Sequence, residues 1–153
     1  MRFLRNPLRQ VPAFSLGFVL IARGLNAGEA APPIQLRIGS ILASNQATDC
    51  DPKLARMSEL KVFKYRCYRL LRQDTQRAAW RADTTFDIPG GRSLKVTPQE
   101  RQNNQLSLKV RLLEGEKPLL DTTVKLREGG NLLLGGPPHE GGVLILSISA
   151  SAQ

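Results

Sequence analysis

Aromatic residues make up only 5% of this 153-residue chain, histidine and tryptophan occur once each, and cysteine occurs twice. A zinc finger lacks its ligands here, and neither a collagen period nor sustained heptads are present. No apolar run reaches the roughly 18 to 20 residues that a membrane-crossing helix needs, which excludes a multi-pass membrane protein. Acidic residues are also scarce, 13 Asp plus Glu against 22 Lys plus Arg, for a formal net charge of +9. What remains is ordinary for one globular domain: 41% apolar and 23% charged residues.

The first thirty residues carry an address. Arg2, Arg5 and Arg9 precede an apolar stretch of 12 residues, 11–22 (VPAFSLGFVLIA), and Gly28-Glu29-Ala30 sets small residues at −3 and −1 for cleavage after Ala30. A cut after Ala27 would place bulky Leu25 at −3. The competing reading, a buried helix, is weakened by Pro12 and Gly17. Neither a lipid-anchoring Cys after the apolar run nor a paired Arg before it is present. Residues 1–30 are therefore expected to be a cleavable signal peptide and 31–153 a single β-rich domain in the periplasm or secreted, not membrane-spanning after cleavage. The mature chain keeps 18 Lys plus Arg against 12 Asp plus Glu, a net +6 over 123 residues.

Periodicity predicts mostly strands. Ile34, Leu36 and Ile38 alternate with Gln35 and Arg37, and Ile41-Leu42-Ala43 continues as an apolar run. Asp51-Pro52 reads as an N-cap and first helical position, followed by Leu54, Met57 and Leu60 on one stripe, so one helix is expected near residues 52–62. From Phe63 the period becomes two, and a second strand is expected around 76–87, ending at the turn Ile88-Pro89-Gly90-Gly91. Leu94 and Val96, then Leu106 to Leu112, then Leu120 to Leu126, form a clean meander with one wet face. The last apolar run, Val143 to Ile148, is apolar on both faces over its first half, which places it centrally in a sheet. The fold class is mainly β (α+β), a twisted antiparallel sheet or β-sandwich with one helix.

Parity constrains the hairpin at Glu114-Gly115-Glu116. Apolar residues on both flanking strands are even-numbered, so opposed residues must sum to an even number. A three-residue loop summing to 230 achieves this without a bulge and pairs Val110 with Leu120 and Lys109 with Asp121.

Two cysteines in an exported chain make Cys50 and Cys67 a disulfide candidate, the alternative being two separate buried thiols. A helix climbing about 16 Å and a strand returning about 13 Å keep the pair within reach. The glycine pairs 129–130, 135–136 and 141–142 fit hairpin corners, because neither a P-loop nor a G-x-G-x-x-G follows a strand. His139, in Pro-Pro-His-Glu, reads as an exposed loop residue without a companion nucleophile or metal ligands. No catalytic residue, metal site or cofactor is expected; a hydrolase would require a pocket gathering His139 with carboxylates.

Basic residues offer the other chemistry. Arg66, Arg69, Arg72, Arg77 and Arg81 interleave with Tyr65, Tyr68 and Trp80, and the outward meander face adds Lys95, Lys109, Arg111, Lys125 and Arg127. Such a surface can hold anions by charge and rings by stacking; carboxylates mixed among these positions also fit a solvated face. Arg66, Arg69, Arg72, Trp80, Lys109 and Arg111 are the candidate ligand-binding residues.

The segments ILASN (41–45), FKYRCYRLL (63–71), IPGGRSLKVTP (88–98) and LLLGGPPHEGGVLILSISA (132–150) resemble a group of uncharacterised exported bacterial proteins of about this length. These are strand and turn signals, and the resemblance implies architecture without chemistry; Cys50 and Cys67 stand outside its pattern. The expected function is a non-catalytic exported interaction module recognising an envelope or secreted protein by sheet edge or face. The alternative is binding of anionic glycan or lipid headgroups through the Arg-rich face; nucleic acid is not expected as a partner outside the cytoplasm.

Overall fold

In the computed structural model, which describes residues 31–152, every buried member of the main apolar cluster, from Ile34 and Leu36 to Ile148 and Ala150, carries an even number. The expected signal peptide, residues 1–30, lies outside the described residues. The even-numbered residues line the space between two four-stranded antiparallel sheets, a β-sandwich as the alternation requires. One sheet has the order β2-β1-β8-β7: β2 Cys67–Ala78, β1 Ile34–Ser44, β8 Gly142–Ala152 and β7 Asn131–His139. The other runs β3-β4-β5-β6: β3 Thr84–Ile88, β4 Arg92–Gln102, β5 Gln105–Glu114 and β6 Lys117–Arg127. Consecutive strands are neighbours all the way round, with β1 paired to β8 and the chain changing sheets at β2–β3 and β6–β7. β8 sits between β1 and β7, as its two apolar faces demand.

Shared parity dictates the hairpins. The three-residue loop Pro89-Gly90-Gly91 joins Ile88 to its partner Arg92 with an even sum, and β3–β4 has no bulge. The other hairpins turn on two residues, Asn103-Asn104, Gly115-Glu116 and Glu140-Gly141, so their first pairs have odd sums. Each then bulges within a few residues, at Gln99, at Leu119 and opposite Leu144, which returns the ladder to even sums and its apolar residues to the core. Asn103 and Asn104 both have positive φ, 50° and 63°, as a type I′ turn requires. The predicted bulge-free hairpin is therefore corrected: Val110 pairs with Thr122 and Lys109 with Thr123, two residues along from the expected register.

Two other expectations change. The helix near 52–62 is one α turn, α1 Pro52–Ala55, and a 3-10 segment, Ser58–Phe63. Asp51 caps α1, its Oδ1 accepting from the Lys53 N–H at 2.9 Å. Leu54, Met57, Leu60 and Phe63 are spaced by three. In an α-helix each such step falls about 60° short of a full turn, whereas the 3-10 period keeps them aligned. They cover Ile41, Ala43 and Ile145 on the outer face of the first sheet. The strand expected around 76–87 is broken at Ala79–Asp83, where Arg81 takes φ 62° and its N–H donates to the Pro98 carbonyl at 2.7 Å. β2 begins at Cys67, four residues later than the period suggested.

Candidate functional site

Cys50 and Cys67 lie at disulfide distance, their Cα atoms 5.1 Å apart. The link ties the loop before α1 to the start of β2 and closes around the 3-10 segment. Within that enclosure Tyr68 is buried, its hydroxyl donating to the Leu60 carbonyl at 2.8 Å and accepting from the Tyr65 N–H at 3.1 Å. The rings of Tyr65 and Tyr68 meet edge to face, 6.5 Å between centroids. Both are thus engaged in packing rather than displayed for stacking. Trp80 packs partly on the main core, and its indole N–H donates to the Pro32 carbonyl at 3.0 Å.

The candidate arginines divide between two regions. Arg66, Arg69 and Arg72 run along the β2 flank. The Arg66 backbone N–H donates to Asn45 Oδ1, Arg69 is 3.9 Å from Asp49, and Arg72 bridges Asp74 and Asp87. The hydrogen bond to Asp74 and its charge hold the Arg72 guanidinium above its ordinary pKa. Lys109 and Arg111 lie elsewhere, on the outer face of the β3–β6 sheet.

On that second face Lys95 stands directly opposite Arg111 across β4–β5. Lys109 lies between Thr97 and Thr123, and Lys125 is opposite Ser107. Arg111 Nε is 3.6 Å from Asp121, too far for a hydrogen bond, and is buried without a partner. Among the described residues, Lys95, Lys109 and Lys125 form no ion pair. Like charges set directly across a ladder destabilise it, so Lys95 opposite Arg111 is not explained by folding.

The sheet edges are unsuited to strand addition. β3 has five residues, β6 carries Pro118 beside its bulge, β7 carries Pro137 and Pro138, and β2 carries Arg69, Arg72, Asp74 and Arg77. Short strands, prolines, bulges and charge are the devices that discourage edge pairing. At β2–β3 the Gln76 amide also donates to the Thr85 carbonyl at 2.9 Å, occupying that edge.

His139 differs from the exposed loop residue expected. Its side chain is 13% exposed, and Nδ1 lies 3.3 Å from Arg92 Nη1. Arg92 also donates to the carbonyls of Pro89 at 3.1 Å and Pro138 at 3.0 Å, linking the β3–β4 and β7–β8 turns across the sandwich. Among the described residues no group of three or more His, Cys, Asp or Glu is placed to hold a metal, and no helix is long and apolar enough to cross a membrane.

One feature escaped the sequence reading. On the outer face of the first sheet, a depression of about 190 Å³ is lined by Gln35, Arg37, Gly129, Ser149, Ala150 and Ser151. The alternation of Gln35 and Arg37 in β1 and of Ser147, Ser149 and Ser151 in β8 was its signal, but the pairing of β1 with β8 brings the two sets together. Compared with known proteins, the chain matches no family model, no curated protein and no solved structure.

Proposed function

We propose that the domain is a non-catalytic, exported interaction module that binds an acidic protein partner through the outer face of the β3–β6 sheet. The carrying observation is the set Lys95, Arg111, Lys109 and Lys125 on one face of the sheet, with a like-charge pair opposed and, among the described residues, Asp121 alone ion-paired to it. A carboxylate-bearing partner relieves that repulsion on binding and is steered to the surface by it. The blunted edges favour a face over strand addition. The hydroxyl of Thr123, beside Lys109, favours a second reading, an anionic glycan or lipid headgroup on the same cations, although the Thr97 hydroxyl on the other side of Lys109 already donates to Asp83.

The test is capture from the intact envelope fraction with wild-type domain and with the double variant K95T/K109T. A stoichiometric acidic protein held by the wild type and lost by the variant supports the first reading. Co-purifying glycan or lipid with the same loss supports the second. Equal capture by both forms refutes the assignment of this face.

A further inference from the structure

We infer that the depression around Arg37, on the opposite side of the sandwich from the lysines, binds the carboxylate of a small polyhydroxylated acid, a sugar acid being the simplest example. None of the residues that line it carries a carboxylate side chain. Across the four strands the row Thr75, Arg37, Ser149, Asn131 is set by pairing, with Gln35 opposite Ser151 in the next row. Among the described residues Arg37 has no ion-pair or side-chain hydrogen-bond partner, although it is exposed in the middle of the sheet. A guanidinium offers two parallel N–H donors to a carboxylate, the geometry that fixes both charge and orientation.

The neighbouring side chains are oriented for hydroxyl recognition. Ser147 and Ser149 both donate to Asn131 Oδ1, at 2.7 and 3.1 Å. Those two bonds use the serine hydrogens and fix the Asn131 amide, so the serine lone pairs remain as acceptors and the Asn131 NH₂ as donor. One wall is held rigidly: the Gly129 N–H, in the turn after β6, donates to the Ala150 carbonyl at 2.9 Å. At about 190 Å³ the space falls below the range of drug-sized sites and suits one small ligand. Its lining side chains, from Gln35, Arg37, Ser149 and Ser151, are polar, and the Ala150 side chain belongs to the core, so a hydrophobic guest finds little to bury against.

The experiment is an amide chemical-shift titration of the oxidised domain with sodium glucuronate, glucose and sodium sulfate, repeated on R37Q and on N131A. Glucuronate is expected to shift Gln35, Arg37, Asn131, Ser149 and Ser151 together. Its affinity is expected to fall roughly tenfold or more in R37Q, the loss of one charge-assisted contact, and by less in N131A. Glucose is expected to produce no comparable shifts and sulfate weaker ones. Equal response to glucose, equal response to sulfate, or an unchanged titration in R37Q each overturns the inference. Because the lysine face is untouched by R37Q, this result is independent of envelope capture by K95T/K109T.

Discussion

The parity of the core makes an asymmetric prediction about chain length in the β5–β6 hairpin. Leu119 is the extra residue there: Leu113 pairs with Pro118 and Leu112 with Leu120. Deleting Leu119 leaves a regular two-residue hairpin in which Leu112 still meets Leu120 and every later pair is unchanged. The loss is confined to one half-buried leucine, about 1 kcal/mol when the full burial of such a side chain is worth roughly 1.5 to 3 kcal/mol. Inserting one alanine between Asp121 and Thr122 has the opposite effect. The ladder must add a second bulge or turn the residues beyond it outward, among them Leu126, which is 4% exposed, and half-buried Val124. Those two side chains account for about 3 to 4 kcal/mol. Urea unfolding of the oxidised domain, read as midpoint at unchanged slope, compares the two. A deletion as damaging as the insertion would refute the parity argument.

Replacing both Cys50 and Cys67 by alanine is expected to cost about 3 kcal/mol, the loop-closure value for a sequence separation of 17, measured by the same unfolding assay. Thiol titration of the denatured, unreduced domain is expected to find no reactive sulfur. Tyr68→Phe leaves the buried Leu60 carbonyl without its donor and is expected to cost about 1 to 3 kcal/mol, whereas Tyr65→Phe, whose hydroxyl makes no such bond, costs less. Lys95→Thr removes the charge opposite Arg111 and is expected to stabilise the domain by a few tenths of a kcal/mol while weakening retention on heparin at low salt. Gly142→Ala sets a methyl against the Ala43 carbonyl of the neighbouring strand, and a fall in thermal midpoint is expected.

Alternation made the architecture legible: even-numbered leucines and valines from Leu94 to Leu126 can all face one core only in an antiparallel meander. The register was less legible, because parity admits both 230 and 232 and turn length decides between them. Gly115 at φ 60° accommodates a two-residue turn, and Leu119 then supplies the missing residue. The helix was misread because a three-residue apolar spacing resembles a short stretch of the 3.6 period. The break at Arg81 has no glycine or proline to announce it; it follows from a tertiary contact, the bond to Pro98. At the site level, sequence listed the cations but not their partition between β2 and the β4–β5–β6 face. Arg37 and Asn131 stand 94 residues apart in the chain and become neighbours of Ser149 only through β8.

The ladder joining β1 to β8 pairs Ile34 with Ala152 and Ala43 with Val143, so its paired residues lie at least 100 positions apart in the chain. A growing polypeptide with this wiring can pair its first strand with β2 once residue 78 is made, but the other side of that strand has no partner until translation has passed residue 143. Its long-range contacts also make it a slow folder. During that interval one side of β1 stays open, and the first sheet is complete only after the final hairpin arrives.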